Sequence, residues 1–289
     1  MKMEITGHTH LAGLYAKPAR HSISPMMHNA AFIEKGIDAR YLAFDVEPED
    51  LKTSVEAIRT LQLLGVNLSM PHKMAAVPLM DELSEAAQLI GAINTIVHHE
   101  GKLIGHNTDG IGFMASLTDA GISIIGKEIT LMGAGGAATA IISQAALDGV
   151  KKIHVFNRKD AFYDQIAVKL AQISRHTNCE IHLADLEDHS ALQQAIATSV
   201  LLVNATRVGM KPNDGAMALP DVSFLHAELA VYDVIYEPRE TKLLRLAREK
   251  GLKTVNGLGM LLYQGAASFE LWTGQKMPVE KIKPIVENN

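Results

Sequence analysis

A glycine-rich turn in the middle of the chain constrains the fold more than any other segment. Gly133-Ala-Gly135-Gly136 follows the apolar run 128–132 and precedes an alanine-rich segment. A second apolar run, 153–156, ends at Asn157-Arg158-Lys159-Asp160. Glycine permits positive φ and a close approach of the backbone to a phosphate, because it has no Cβ. Glycines alone could also serve a tight strand-to-helix connection, but the strand–turn–helix–strand order predicts a dinucleotide-binding unit.

Length and composition exclude several classes of protein. A chain of 289 residues is long for a single core, which favours two domains. Its net charge of −5 gives no general attraction to nucleic acid or to an anionic membrane. We expect a cytoplasmic protein without a membrane segment, because no run of eighteen apolar residues and no signal-like N-terminus occurs. The single cysteine, Cys179, excludes an intrachain disulfide and has no basic neighbour that would activate its thiol.

Strand-like and helical segments alternate along the chain, which predicts an α/β fold with mostly parallel strands. We expect an N-terminal α/β substrate-binding and catalytic domain over residues 1–110 and a Rossmann-like nucleotide domain over 111–258. Closing helices at about 259–289 are expected to return to the first domain. Ser24-Pro25 predicts a helix N-cap, with the helix ending at Gly36.

Lys73 and Asp109 are the candidate proton-transfer residues of the first domain. Lys73 follows Pro71, which ends a predicted strand because proline has no amide proton to donate. Asp109 also follows a predicted strand, and ligands of open α/β sheets bind at the carboxyl ends of strands. A lysine beside a carboxylate can transfer the proton that accompanies hydride transfer. On these residues alone, a solvated surface charge is the more common explanation for either residue.

Thirteen histidines suggest a metal site, but their spacing does not support one. No HxxxH or HExxH pair occurs, and the clusters at His8, His10, His98 and His99 lie in terminal or turn contexts. We therefore expect surface histidines and no metal.

The end of the second strand leaves the choice of dinucleotide open. A carboxylate at this position accepts hydrogen bonds from the adenosine ribose and repels a 2′-phosphate, whereas an arginine attracts the phosphate. Arg158 could also stack on the adenine ring. Asp160 favours NAD, while Arg158 and Lys159 keep NADP open.

Seven motifs occur in the order that one family of enzymes shows. They are His21-Ser22-Ile23-Ser24-Pro25, Asn67-Leu-Ser69-Met-Pro71-His-Lys73, Gly91-Ala-Ile-Asn94-Thr, Asn107-Thr-Asp109-Gly110, Gly133-Ala-Gly135-Gly136-Ala, Asn157-Arg158 and Gly257-Leu-Gly259-Met-Leu-Leu-Tyr-Gln264-Gly. With these motifs the chain resembles shikimate dehydrogenases over nearly its whole length. Ser69 and the Arg158-Lys159-Asp160 run are similar to the quinate/shikimate dehydrogenase branch.

The resemblance implies an oxidoreductase of the shikimate pathway that interconverts shikimate or quinate with the 3-dehydro ketone, using NAD or NADP. It implies that Ser22 and Ser24 bind the substrate carboxylate, with Ser69 nearby. It further implies that Lys73 is the acid/base group beside Asp109, and that Asn94, Asp109 and Gln264 hold the ring hydroxyls. The residues that it implies for the cofactor are Gly133, Ala134, Gly135, Gly136, Ala137, Asn157, Arg158, Asp160, Arg207, Val234, Tyr236 and Gly257.

Two other functions stay open at this point. One is another two-domain dehydrogenase of the methylene-tetrahydrofolate type, against which the Ser22 and Ser24 hydroxyls favour a small carboxylated polyol. The other is a non-catalytic regulator that binds a nucleotide and shikimate. The sequence also leaves open the preference for shikimate or quinate and the oligomeric state, for which a homodimer is one expectation.

Overall fold

A computed structural model describes residues 4–288 of the chain. These fall into two compact units, one reaching to Gly112 and resuming at Leu261, the other spanning Phe113–Met260. Each unit contains one six-stranded sheet with helices, so the predicted α/β class is confirmed. Within the described residues no helix is long and apolar enough to cross a membrane.

The sheet of the first unit is mixed. Its strands are β1 (His10–Ala16), β2 (Ala39–Asp45), β3 (Gly65–Leu68), β4 (Glu82–Leu83), β5 (Thr95–His99) and β6 (Lys102–His106). They lie in the order β2-β1-β3-β5-β6-β4. Strand β1 is parallel to β2 and β3, whereas β5 is antiparallel to both β3 and β6. The start of β5 therefore lies at the same edge of the sheet as the ends of β3 and β6.

Helices of the first unit follow its strands. They are α1 (Ser24–Lys35), α2 (Leu51–Thr60), α3 (His72–Ala75) and α4 (Glu85–Ile90), and α5 (Asp109–Asp119) begins at the end of the unit. Helix α1 ends at Gly36, which has the left-handed φ of 66° that glycine allows. The predicted cap at Ser24 is wrong: Ile23 is the N-cap residue and no side chain caps the helix. The Ser22 hydroxyl instead accepts a hydrogen bond from the Ser24 amide at 3.2 Å.

The sheet of the second unit is entirely parallel. Its strands are β7 (Glu128–Met132), β8 (Lys152–Asn157), β9 (Glu180–Asp185), β10 (Leu201–Asn204), β11 (Ala230–Asp233) and β12 (Thr254–Val255), in the order β12-β11-β10-β7-β8-β9. Its helices are α6 (Gly136–Leu147), α7 (Tyr163–His176), α8 (His189–Thr198) and α9 (Lys242–Glu249). The order reverses between β7 and β10, which is where doubly wound sheets of this kind bind dinucleotides.

Two C-terminal helices complete the chain, α10 (Leu258–Thr273) and α11 (Val279–Glu287). The Trp272 indole N–H donates to the Ile96 carbonyl at 3.0 Å, which ties α10 to β5. Gly65 lies at this contact with a φ of 156°, and a Cβ there would overlap the Ile96 carbonyl and the Trp272 ring. This close packing determines where α10 places its polar side chains relative to the first sheet.

His28 lies in the aromatic core of the first unit. Its ring stacks on Tyr41 with centroids 4.4 Å apart and lies 5.2 Å from the Trp272 ring. The side chain is fully buried, and neither ring nitrogen has a hydrogen-bond partner. Burial disfavours the charged imidazolium and lowers the pKa of His28 to about 3.

We predict that His28 makes the stability of the protein depend on pH. Below the ordinary histidine pKa of 6.5, His28 binds a proton in the unfolded chain, whereas in the folded chain it stays neutral down to about pH 3. Stability contributed by neutral His28 is therefore present above pH 6.5 and declines by about 1.4 kcal/mol per pH unit as pH falls towards 3. Urea unfolding of wild type and His28→Phe at pH 7.5 and pH 4.5 should show a difference between the two proteins that shrinks, or reverses in favour of the variant, at the lower pH.

The control for this measurement is His99→Gln, since His99 is exposed on β5. Its stability should follow wild type at both pH values. An unchanged difference between wild type and His28→Phe would contradict the role assigned to His28.

Candidate active site

Lys73 and Asp109 form an ion pair at the carboxyl edge of the first sheet. Lys73 lies in α3, shortly after β3, and Asp109 is the first residue of α5, shortly after β6. The Lys73 Nζ and Asp109 Oδ2 atoms are 2.6 Å apart, and the two side chains are 32% and 16% exposed. A partly exposed pair of this kind contributes at most about 1 kcal/mol to stability. Its short, directed contact is better explained by chemistry at an accessible site than by the needs of folding.

Asn94 holds the second oxygen of the Asp109 carboxylate. Its Nδ2 donates to Asp109 Oδ1 at 2.8 Å, while its Oδ1 accepts from the Thr108 amide at 2.8 Å. The backbone donor orients the side-chain amide, since an amide nitrogen could not accept from it. Because Asn94 immediately precedes antiparallel β5, it reaches the edge where β3 and β6 end.

Gln264 joins this group from α10. Its Oε1 accepts from Asn94 Nδ2 at 3.4 Å, and its Nε2 donates to the Leu261 carbonyl at 2.9 Å. The structure thus connects four of the predicted residues, Lys73, Asp109, Asn94 and Gln264, through direct hydrogen bonds. Together they offer an ammonium, a carboxylate and two amides, which suits a ligand with several hydroxyls and a carbonyl or alcohol to be protonated or deprotonated.

The three predicted serines lie at the same edge of the sheet, after neighbouring strands. Ser22 and Ser24 follow β1, and Ser69 follows β3, where its amide donates to the Tyr15 carbonyl at 3.0 Å. Ser24 is buried and its hydroxyl is hydrogen-bonded to the Tyr41 phenol. Within the described part of the chain, no hydrogen bond joins these serines to Lys73 or Asp109. The serines are thus separate hydroxyl donors along this edge, apart from the hydrogen-bonded group of Lys73, Asp109, Asn94 and Gln264.

The glycine turn of the second unit has room for a ligand. Gly133 directly follows β7 with a φ of 100°, and a Cβ there would lie 3.0 Å from the Ala205 backbone carbonyl, so a side chain at this position would be strained. A Cβ built on Gly135 or Gly136 would meet nothing within 4 Å. Helix α6 begins at Gly136 without a side-chain cap, which leaves the amides of its first turn to bind an anion. The turn therefore fits a pyrophosphate.

Loops after the other strands of this sheet are tied to one another. The Gly257 amide donates to the Ile235 carbonyl at 3.1 Å, and a Cβ on Gly257 would overlap the Val234 carbonyl. The Val234 amide donates to the Asn204 carbonyl at 3.0 Å. At the carboxyl edge of this sheet, the segments after β10, β11 and β12 contain four predicted residues: Arg207, Val234, Tyr236 and Gly257. The Tyr236 side chain is 45% exposed.

Asp233 is a site-forming residue that the sequence did not single out. Its buried carboxylate accepts from the Thr241 hydroxyl at 2.7 Å, from Asn204 Nδ2 at 3.1 Å and from the Ile235 amide at 3.1 Å. Burial raises the pKa of Asp233, and these three donors oppose that rise. The only signal in the sequence was an aspartate inside an apolar run, which is typical of a strand end that serves to position loops.

At the end of β8 the charged residues are exposed. Asn157 Nδ2 donates to the Arg158 carbonyl at 3.0 Å. Asp160 Oδ1 accepts from the Phe162 amide at 2.9 Å, so this carboxylate also shapes the start of α7. Lys159 Nζ lies 3.9 Å from Asp185 Oδ2, which partly offsets its charge. The strand end thus presents Arg158 beside a carboxylate that has one oxygen left for a ligand.

Two further expectations concern metals and the cysteine. Over residues 4–288 no three His, Cys, Asp or Glu side chains are grouped in a way that could hold a metal ion. Cys179 is buried, and burial raises the pKa of its thiol to about 12. The thiol therefore stays protonated and unreactive at neutral pH.

The chain matches known proteins over nearly its full length. Residues 14–96 match the shikimate dehydrogenase substrate binding domain, and residues 257–287 match the shikimate 5′-dehydrogenase C-terminal domain. A shikimate dehydrogenase (NADP(+)) from Listeria innocua is 53% identical over 98% of this chain and 97% of its own length.

Solved structures give the same result. Shikimate 5-dehydrogenase from Listeria monocytogenes, in complex with shikimate and NAD, is 53% identical with a TM-score of 0.96, covering 99% of both chains. Quinate dehydrogenase from Corynebacterium glutamicum, in complex with NAD, is 31% identical with a TM-score of 0.87, covering 97% of this chain and 99% of its own. With relatives this similar over nearly all of its length, the chain belongs to the shikimate dehydrogenase family.

Proposed function

We propose that the protein is a shikimate dehydrogenase, which interconverts shikimate and 3-dehydroshikimate with NAD or NADP. The observation that supports this most is the hydrogen-bonded group of Lys73, Asp109 and Asn94. A non-catalytic regulator would need the hydroxyl-binding amides but not a lysine held 2.6 Å from a carboxylate. Family membership and the complete acid/base pair therefore favour an enzyme.

The oxidation converts a secondary alcohol into a ketone, with release of a hydride and a proton. When bound, the nicotinamide accepts the hydride or, in the reverse direction, supplies it. In reduction, the Lys73 ammonium donates a proton to the ketone oxygen and becomes the neutral amine. In oxidation, the neutral Lys73 amine takes the proton from the hydroxyl and becomes the ammonium. Asp109 keeps the Lys73 side chain in position through Oδ2, and Asn94 keeps Asp109 in position through Oδ1.

The substrate carboxylate is proposed to bind the Ser22 and Ser24 hydroxyls, with Ser69 nearby. Hydroxyls bind a carboxylate less strongly than an arginine does, so several contacts must share this task. The ring hydroxyls then lie against Asn94, Asp109 and Gln264. The serines lie along the edge of the sheet, apart from Lys73 and Asp109, which suits a ligand whose acid and reacting alcohol are on different carbons of one ring.

For the cofactor, we propose that the pyrophosphate binds at Gly133 to Ala137, and the adenosine at Asn157, Arg158 and Asp160. Arg207, Val234, Tyr236 and Gly257 are proposed to line the remainder of its site. The open space over Gly135 and Gly136 supports the first assignment. NAD is favoured by Asp160, whereas NADP is named for the Listeria innocua relative, so both are proposed as cofactors.

Quinate is a second candidate substrate. The likeness to the quinate dehydrogenase of Corynebacterium glutamicum supports it. Ser69 stands where a threonine is common in the NADP-specific branch. Serine lacks the methyl group of threonine, and the space this leaves would accommodate the additional hydroxyl of quinate.

The test is a four-way assay of the purified protein with shikimate or quinate, each with NAD⁺ or NADP⁺, following the absorbance of the reduced nicotinamide. We expect turnover with shikimate. Binding of shikimate and dinucleotide in thermal-shift measurements, without turnover in any combination, would refute the enzyme and support the regulator. Thermal protection by a folate instead would support the methylene-tetrahydrofolate type.

Lys73→Ala should lower kcat by about 10²–10⁴, because the variant loses its proton donor while the substrate contacts remain. The effect on the KM for shikimate should be smaller. The matched control is Lys151→Ala, which removes an exposed lysine from the second unit and should leave kcat unchanged. Near wild-type turnover in folded Lys73→Ala would contradict the role of this residue.

Asp160→Asn should move cofactor preference towards NADP. The asparagine retains Oδ1 as an acceptor for the Phe162 amide but removes the charge that repels a 2′-phosphate. We expect the ratio of kcat/KM for NADP⁺ to that for NAD⁺ to rise about tenfold, which corresponds to about 1.4 kcal/mol. Asp164→Asn removes an equal charge from the first turn of α7 and serves as the control. Equal ratios in the two variants would show that Asp160 has no specific part.

A further inference from the structure

A chain of buried polar side chains lies behind Asn94 in the first unit. Its members are Tyr41, Asn67, Thr95 and Ser268, none more than 6% exposed. They come from β2, β3, β5 and α10, which are distant in sequence. Buried polar groups are costly unless they are fully hydrogen-bonded, so a connected set of this kind calls for an explanation.

The chain has a defined direction at its first two members. Burial raises the pKa of Tyr41, so its phenol stays protonated and donates to Asn67 Oδ1 at 2.8 Å. Asn67 Nδ2 in turn lies 3.2 Å from the Asn94 backbone carbonyl, which can only accept. The same Nδ2 lies 2.9 Å from Ser268 Oγ and 3.1 Å from Thr95 Oγ1. The Asn67 amide thus has two hydrogens for three acceptors, and the two hydroxyl oxygens are the nearer ones.

Thr95 connects this chain to Asn94. Its Oγ1 receives a hydrogen from Asn67 and lies 2.8 Å from Ser268 Oγ, and it lies 3.0 Å from Asn94 Oδ1. Asn94 Oδ1 has no proton, so this last contact is a hydrogen bond only when Thr95 donates. Donation to Oδ1 holds that oxygen on the buried side and strengthens the N–H groups at the other end of the same amide.

From these contacts we propose that Thr95 is a positioning residue of the reaction. Its hydroxyl, ordered by Asn67 and Ser268, acts through the side-chain amide of Asn94 to keep Nδ2 directed at Asp109. This inference rests on the proposed function, because it assigns a part in the same proton transfer. It adds to that function a dependence of the Asp109 carboxylate on hydroxyls that do not touch substrate.

The test compares Thr95→Val with wild type, after shikimate turnover of wild type has been measured. Valine keeps the shape of threonine and removes the hydroxyl. We expect kcat to fall about tenfold and the acidic limb of the kcat profile to move to higher pH, because Asn94 then holds the proton-transfer groups in position less well. The KM for the dinucleotide should not change, and Thr95→Ser should restore both kcat and the pH profile.

Thr130→Val is the matched control. Thr130 is equally buried, and its hydroxyl bonds to Ser199 at 2.9 Å in the second unit. It should leave the pH profile of kcat unchanged. If Thr95→Val does not fold, Ser268→Ala takes its place and should move the acidic limb in the same direction. A folded Thr95→Val with wild-type kcat and pH profile would overturn this inference, whereas an inactive wild type would overturn the proposed function itself.

Discussion

The Asp109 carboxylate is the group on which the site of the first unit depends. Both of its oxygens are occupied, one by the Lys73 ammonium at 2.6 Å and one by the Asn94 amide at 2.8 Å. In the sheet order Asn94 lies between the other two residues, since β5 lies between β3, which precedes Lys73, and β6, which precedes Asp109. A sheet with β5 parallel to its neighbours would place Asn94 at the other edge. The antiparallel insertion of β5 is thus what brings the three groups together.

In the second unit, the reversal of strand order between β7 and β10 likewise brings distant segments of the chain together. Gly133 is at the end of β7, and a Cβ there would contact Ala205, which follows β10. A side chain at this position would therefore be strained, and the first turn of α6 has no side-chain cap. Buried Asp233 then ties the loops after β10 and β11 together. The parallel sheet and the Asp233 contacts thereby hold these loops in position.

Much of this arrangement could be predicted from local sequence. The turn at Gly133 is readable because a strand, glycines and a helix follow one another within a few residues. The two C-terminal helices, α10 and α11, were also predicted near their observed bounds. Strands β4 and β12 were missed, because two residues are too few to show periodicity.

Contacts between distant segments could not be predicted in the same way. The motifs identified Asn94 and Gln264 as site residues. They did not predict the hydrogen bond between the two, which are 170 positions apart in sequence. The hydroxyls of Thr95 and Ser268 gave no signal, because a buried serine or threonine looks the same in sequence as a surface one. Ser24 was interpreted as an N-cap from its proline neighbour, whereas its hydroxyl bonds to Tyr41 on strand β2.

The most direct test of the central claim, that Lys73 and Asp109 act as one unit, is a double-mutant cycle on kcat with Lys73→Ala, Asp109→Asn and the double variant. For a single proton-transfer unit we predict strong non-additivity, with the double variant within about tenfold of the slower single variant. If the two losses instead multiply, the residues act independently and the claim is contradicted.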